Sequence, residues 1–354
     1  MTSPYSALDP RHFWRTAVAA ENPLAWRDIY RKRFPIEPDD RIATAGSCFA
    51  QHFAGQLSRR GFEFLDSEPG PPSLSPALRR AFGYGVFSAR YGNIYTARQL
   101  LQLFQEAFGE RRPAEPPWIS EGRFHDPLRP AIEPEGFVSA DELAALRQLA
   151  HLPAVRKVFL ECNLFVFTLG LTEAWLSAED GTVFPSCPGT IAGEFDASRH
   201  RFHNFGFKEV QADMVAFIDR LRDVNARAKV LLTVSPVPLA ATATDNHVLA
   251  ATTYSKSVLR AVAGSLHERF QHVDYFPSYE LVTAPAARGM FFEPDLRNVT
   301  PVGVDQVMRH FFAEHPSPSV PASVDRPARR PIDDEWEEFR AVCEEARLDP
   351  SFNA

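Results

Sequence analysis

No stretch of the 354-residue chain approaches the roughly eighteen consecutive apolar residues that a membrane span requires. Nor does Met1 to Pro10 hold a basic segment leading into an apolar one, so neither a spanning helix nor a secretory leader is expected, and the expected setting is soluble and cytoplasmic. Cysteine is scarce. Cys48, Cys162, Cys187 and Cys343 form no Cys-x-x-Cys pair and no metal-ligand spacing, which argues against a disulfide framework and a zinc site and fits free thiols in a reducing compartment. Basic blocks are also missing, and the formal net charge is -7, so a nucleic-acid surface built on phosphate contacts is not expected. No internal repeat is visible, and a repeat architecture is not expected either.

Proline is plentiful and concentrated between Glu68 and Pro76, Arg112 and Pro117, Pro185 and Pro188, and Pro316 and Pro331. The first three clusters are flanked by apolar periodic sequence and read as loops. The last reads differently, as a linker from 315 to 331. Beyond it, Asp333 to Arg347 reads as a short charged helix with Trp336, Phe339, Val342 and Cys343 at helical spacing, suited to docking on the body or, in a homodimer, on a second copy. The expected organisation is a wrapping segment over 1–40, one large α/β domain over 41–314, the linker, and a helical tail over 332–354.

The domain begins with Arg41 to Ala50, a short apolar run that breaks at Gly46 and passes directly into a helical pattern. Such a turn leaves the first side chain after the glycine, Ser47, at the carboxyl end of a strand. The neighbouring amides, at the start of a helix, have no internal partners and face any developing negative charge. A hydroxyl beside such amides suits acyl transfer, and the alternative is that Ser47 serves as a helix N-cap. Strands are predicted at Ile42–Thr44, Phe62–Leu65, Leu164–Gly170, Lys229–Val234 and His272–Tyr275. Helices are predicted at about 49–60, 97–108, 140–162, 207–224, 248–266 and 302–312, the last with Thr300 as N-cap and Pro301 at its first position. The segment 180–204, with Cys187, His200 and His203, reads as a loop. This alternation predicts a parallel, doubly wound sheet with helices on both sides and ligand-binding groups at the carboxyl ends of strands. Gly92 and Asn93 are candidate donors to the oxyanion that Ser47 would create, with an ordinary glycine turn as the alternative. Thr172 and Glu173, which follow a fully apolar strand, are candidate site residues, with capping of the next turn as the alternative.

Gly46-Ser47-Cys48-Phe49-Ala50 spells the signature after which the GSCFA family is named, and the chain resembles that family from about Arg41 to Phe312. Tyr91-Gly92-Asn93, Thr168 to Trp175, Thr233 to Pro238, Ser255-Lys256-Ser257 and Tyr275 to Glu280 look like its further blocks in the same order. The family is similar to the SGNH (GDSL-like) hydrolases, esterases and acyl-transferring enzymes with a three-layer α/β/α sandwich around a central, flavodoxin-like parallel sheet. The resemblance implies Ser47 as nucleophile with its own amide in the oxyanion hole, Gly92 as the second-block glycine, and Thr172 where the larger group has an asparagine donor. No metal or organic cofactor is implied, and the implied partner is a small-molecule or carbohydrate ester.

One element of that chemistry is missing. Where the larger group has Asp-x-x-His, this chain has Asp295-Leu296-Arg297-Asn298, and a serine needs a base within reach to attack an ester. His247, after the strand ending in Ser235 to Pro238, is the first substitute, with Asp295 as its orienter and Asn298 holding substrate or water. His203 and His52 come next, although His52 stands about a turn and a half along the same helix from Ser47. Cys48 is taken as a small buried apolar group. The leading expectation is a serine ester hydrolase or acyltransferase. Its rivals are a non-catalytic glycan- or acyl-binding protein with a degenerate pocket, and a site in which Glu173 or Asp295 does the acid-base work.

Overall fold

The computed structural model describes residues 3–316 and 347–348. The linker and the tail helix expected from 317 onward lie outside the described residues, apart from Arg347. In chain order, β1 (Ile42–Gly46) leads into α1 (Ala50–Arg59), α2 (Pro76–Ala81) and α3 (Ala97–Ala107). A hairpin of β2 (Trp118–Ser120) and β3 (Arg123–His125) precedes α4 (Ala140–Leu146) and α5 (Leu152–Glu161). Then come β4 (Leu164–Leu169), β5 (Glu173–Ser177), β6 (Val183–Phe184) and β7 (His200–Asn204), followed by α6 (Phe207–Val224) and β8 (Lys229–Val234). The chain continues with α7 (Val248–Arg269), β9 (Val273–Tyr275), α8 (Ser278–Thr283) and α9 (Pro301–Glu314).

The central sheet is four-stranded and wholly parallel, in the order β1-β4-β8-β9. Its strands are mostly apolar because both faces are covered, and the pleat divides their side chains in alternation. Ala43, Ala45, Phe165, Phe167, Leu169, Val230, Leu232 and Val234 face a layer formed by α3, α5, α6 and α7. Ile42, Leu164, Val166 and Leu231 face the opposite layer, formed by α1, α8 and α9 with Trp26 and Tyr30 of the amino-terminal segment. The fold is therefore the expected three-layer α/β/α sandwich. Tyr30 anchors its segment by donating to Asp274 Oδ2 at 2.9 Å. No helix among the described residues is long and apolar enough to cross a membrane.

The sequence expectation does not include α2, the β2–β3 hairpin, β5 or α8, and three segments that it does describe differ from it. Phe62–Leu65 contributes only one parallel bridge, Ile42 to Phe64, held by the Ile42 amide on Glu63 (2.8 Å) and the Leu65 amide on Ile42 (2.9 Å), because the proline-rich loop ends it at once. Residues 180–204 are not merely a loop: β6 and β7 flank β5 in an antiparallel sheet, with Trp175 opposite both Phe184 and Phe202. Strand β7 reads His-Arg-Phe-His-Asn, which carries no apolar alternation to betray it. The helix expected over 140–162 is split by a π turn at Arg147–His151. Pro153, in the first turn of α5, has no N–H to continue the α pattern back to Leu149. The π turn buries Arg147 between Glu106 (Nη2 to Oε2, 2.5 Å) and Asp126 (Nη1 to Oδ2, 2.6 Å).

Several histidines are buried in neutral form. Burial, with nearby arginine or lysine, lowers His151 to about 3, His310 to about 4 and His315 to about 3. In the unfolded chain these rings titrate at about 6.5. The unfolded state thus binds more protons below that value, and the stability these groups contribute is complete above about pH 6.5 and is lost as the pH falls toward 4. Thermal unfolding followed from about pH 7.5 down to about 5 should show a falling midpoint, with a shallower fall in His310→Gln; identical profiles would refute this assignment.

Candidate active site

The site is built where the ends of β1 and β4 touch. These strands are in register, Gly46 opposite Thr168, and Gly46 has φ 141°. A Cβ on Gly46 would lie 2.6 Å from the Thr168 carbonyl oxygen, so no other residue fits. One residue beyond β4, a Cβ on Gly170 would lie 2.9 Å from Ser47 Cβ and 3.1 Å from the Tyr95 carbonyl oxygen. Ser47 is thus seated between two bare backbones. The Ile94 amide donates to the Gly46 carbonyl at 2.8 Å, and the amides of Gly170 and Leu171 donate to the Tyr95 carbonyl at 3.1 and 2.9 Å. Three chain segments, after β1, before α3 and after β4, are tied together here.

Ser47 is 3% exposed and its hydroxyl has no hydrogen-bond partner. It is not the N-cap of α1: Phe49 occupies that position, with no side-chain cap bond. The Ser47 amide, assigned by resemblance to an oxyanion hole, donates instead to the Thr168 carbonyl at 3.3 Å. Thr172, in the turn that follows Gly170, has its amide on Ser255 Oγ at 3.1 Å and its buried hydroxyl without a partner. Gly92 turns the chain with φ 68°, and Asn93 is buried, accepting from Gln51 Nε2 of α1 through Oδ1 at 3.1 Å.

Glu173 opens β5 and is 8% exposed. Burial raises its carboxyl above the usual range, against bonds from Thr242 Oγ1 (2.8 Å) and the Ala243 amide (3.4 Å). It lines a cavity of about 190 Å³ together with Tyr95, Leu171, Trp175, Phe202 and Leu239. Ser47 itself does not line this cavity. Tyr95 and Leu171 do, and both adjoin Gly170, the residue packed against Ser47, through the Tyr95 carbonyl and the chain itself.

None of the expected bases is bonded to Ser47. His247 is exposed and forms the N-cap of α7, its Nδ1 accepting from the Leu249 amide at 3.2 Å. An accepting Nδ1 is unprotonated, so the neutral ring carries its proton on Nε2. His203 bonds Glu209 Oε1 through Nε2 at 2.9 Å, and His52 packs edge-on against Phe49 at 5.7 Å. Asp295 is exposed and closed in its own turn, accepting the amides of Arg297 and Asn298 at 2.9 Å each, and the Asn298 carboxamide at 2.5 Å. Burial would raise its carboxyl, but these donors outweigh it and hold the group below its ordinary value. The pairing of Asp295 with a histidine is therefore not formed. Cys48 is buried among apolar side chains, as expected.

Lys256 is named from the sequence only within the Ser255-Lys256-Ser257 block, with no role assigned to it. It is 1% exposed and donates through Nζ to the Gly170 carbonyl at 2.7 Å. The signal was available: a lysine at the helical spacing that carries Leu259 and Ala263 stands on the apolar face of α7. The loop that holds Glu173 through Thr242 and Ala243 had no comparable signal. Among the described residues no group of three His, Cys, Asp or Glu side chains is placed to hold a metal ion.

Residues 41–311 match the model of the GSCFA family. Among curated proteins, none matches the chain.

The contact between Gly170 and Ser47 makes a direct prediction. Gly170→Ala must displace Ser47 or the Tyr95 segment, and chemical denaturation should show a loss of about 1–3 kcal/mol. A value within about 0.5 kcal/mol of the wild type, the range of an indifferent surface change, would mean that the approach is not tight.

Proposed function

The chain belongs to the GSCFA family, and on that footing we propose that it is an SGNH-like serine ester hydrolase or acyltransferase, acting on an acylated small molecule or carbohydrate through an acyl-enzyme on Ser47. The observation that carries this reading is the Ser47 hydroxyl, buried and unpartnered at the carboxyl edge of a parallel sheet. Leaving a buried hydroxyl unpaired costs about 1–3 kcal/mol, a penalty that folds retain where the group has a ligand to meet. A second unpartnered hydroxyl, on Thr172, and the neighbouring cavity with its raised carboxyl support the same reading.

In this scheme Ser47 Oγ attacks the ester carbonyl carbon. The oxyanion is met by the Thr172 hydroxyl and the Gly92–Asn93 turn. The serine proton passes to the base and then to the departing alcohol, and water or an acceptor hydroxyl releases the acyl group. His247 is the base. Val248, next to it, packs with Tyr95 and Leu171, which flank the Ser47 contact. To act, the imidazole leaves the Leu249 amide, which frees the Nδ1 lone pair at the first turn of α7. Asp295, bound in its own turn, has no part in the scheme. Cys48, Cys162 and Cys187 form no disulfide among the described residues, which suits a reducing compartment, and the proposal sets the protein in the cytoplasm.

A second reading, a non-catalytic glycan- or acyl-binding protein with a degenerate pocket, is favoured by the absence of any base on Ser47 and by Asn298 in place of the expected histidine. Turnover of p-nitrophenyl acetate and of acetylated sugars separates the two. The proposal expects wild-type turnover that falls about a thousandfold or more in Ser47→Ala, with a large loss in His247→Ala as well. Full activity in His247→Ala would remove that histidine from the scheme, and equal inertness of all three proteins would leave the binding reading.

A further inference from the structure

We propose that Lys256 is a positioning residue for Ser47: its buried ammonium clamps the Gly170 carbonyl and thereby fixes both the wall against which Ser47 stands and the turn that carries Thr172. The inference rests on the acyl-enzyme reading and adds to it a residue outside the reacting groups. Burying an ammonium is unfavourable unless strong partners meet it. Packing gives no reason for one here, since the adjoining positions on the same face of α7 are filled by Leu259 and Ala263. A partner that the lysine meets is the peptide at the exit of β4, at 2.7 Å.

That peptide is the hinge of the site. Its carbonyl takes the charge-assisted bond from Lys256, and its N–H, at Leu171, donates to Tyr95 at 2.9 Å, so the ammonium polarises a chain of bonds that reaches the segment before α3. The preceding residue of α7, Ser255, holds the Thr172 amide at 3.1 Å. Two successive residues of one helix thus pin the 170–172 turn, one by its carbonyl and one by its amide. Because Gly170 and Ser47 are in contact with no slack between them, any relaxation of this turn moves the serine wall and the Thr172 hydroxyl together. An attack geometry is sensitive to small displacements of this kind.

The test compares Lys256→Met, which keeps an unbranched side chain one atom shorter and removes the charge, with Lys256→Arg and with Val262→Ala, a cavity in the same helix away from the turn. Lys256→Met should lower kcat on p-nitrophenyl acetate about tenfold or more with little change in KM, and Lys256→Arg should show a smaller fall. Val262→Ala, although destabilised, should keep its kcat. A kcat in Lys256→Met no lower than in Val262→Ala overturns the proposal. Amide hydrogen exchange provides a readout independent of catalysis: Lys256→Met should speed exchange at Leu171 and Thr172 about tenfold or more relative to Val262→Ala. If the wild type turns over no ester, the acyl-enzyme reading fails, and exchange alone decides the clamp, with unchanged rates at those amides overturning it. Should Lys256→Met not fold, Lys256→Arg is read in its place, and unchanged kcat and unchanged exchange there count against the proposal.

Discussion

Everything at this site depends on a contact between two pieces of bare backbone. At Gly46 and again at Gly170 there is no room for a Cβ, and Ser47 is the side chain left between them. Parallel pairing of β1 with β4 brings the two strand exits side by side, and the glycines let them stay that close after the strands end. The chain before α3 closes the arrangement through the Tyr95 carbonyl, which accepts from both Gly170 and Leu171. A serine in such a place is oriented by backbone rather than by hydrogen bonds of its own. Its hydroxyl is correspondingly left over, and this leftover polar group, not the sequence motif alone, is what gives the site chemical meaning.

The rest of the fold serves that contact at a distance. The two apolar layers hold the central sheet rigid, and α7 reaches from one of them to the exit of β4 with Ser255 and Lys256. The antiparallel sheet inserted after β4 contributes a different element. It carries Glu173, whose carboxyl is pushed up by burial, and the aromatic wall of Trp175 and Phe202 beside it. A parallel sandwich thus supplies the serine, and a local antiparallel addition supplies the neighbouring cavity. Elsewhere Arg147 pairs with Glu106 and Asp126 at the π turn, and Tyr30 donates to Asp274 in the anchor of the amino-terminal segment.

What could be read from the sequence follows the strength of the local signal. Leu164–Leu169 and Lys229–Val234 are buried on both faces apart from Lys229, so apolar residues dominate both, and the parallel sandwich follows from them. Thr300 with Pro301, and Gly46 before Ser47, announce their turns because each residue type has a geometric reason to be there. Strand β6 is only two residues long, and β7 is largely exposed or half-buried with no apolar alternation, so nothing in their residues marks pairing. The placement of His247 illustrates another limit. Sequence order puts it on the loop after β8, but whether its ring faces a serine or caps α7 is settled by a single backbone amide, that of Leu249, which no pattern reveals. Asp295 likewise reads as a partner for a histidine and is instead consumed by its own turn.

Family membership and geometry therefore support an acyl-transfer site at Ser47 while leaving the serine without a bonded base. The most direct measurement is reaction of the intact protein with a fluorophosphonate followed by peptide mass spectrometry, because this reagent tags an activated serine whatever the natural ester is. The account predicts one adduct, on the peptide containing Ser47, and none in Ser47→Ala. A protein that remains unmodified, or that carries its adduct on another residue, would contradict it.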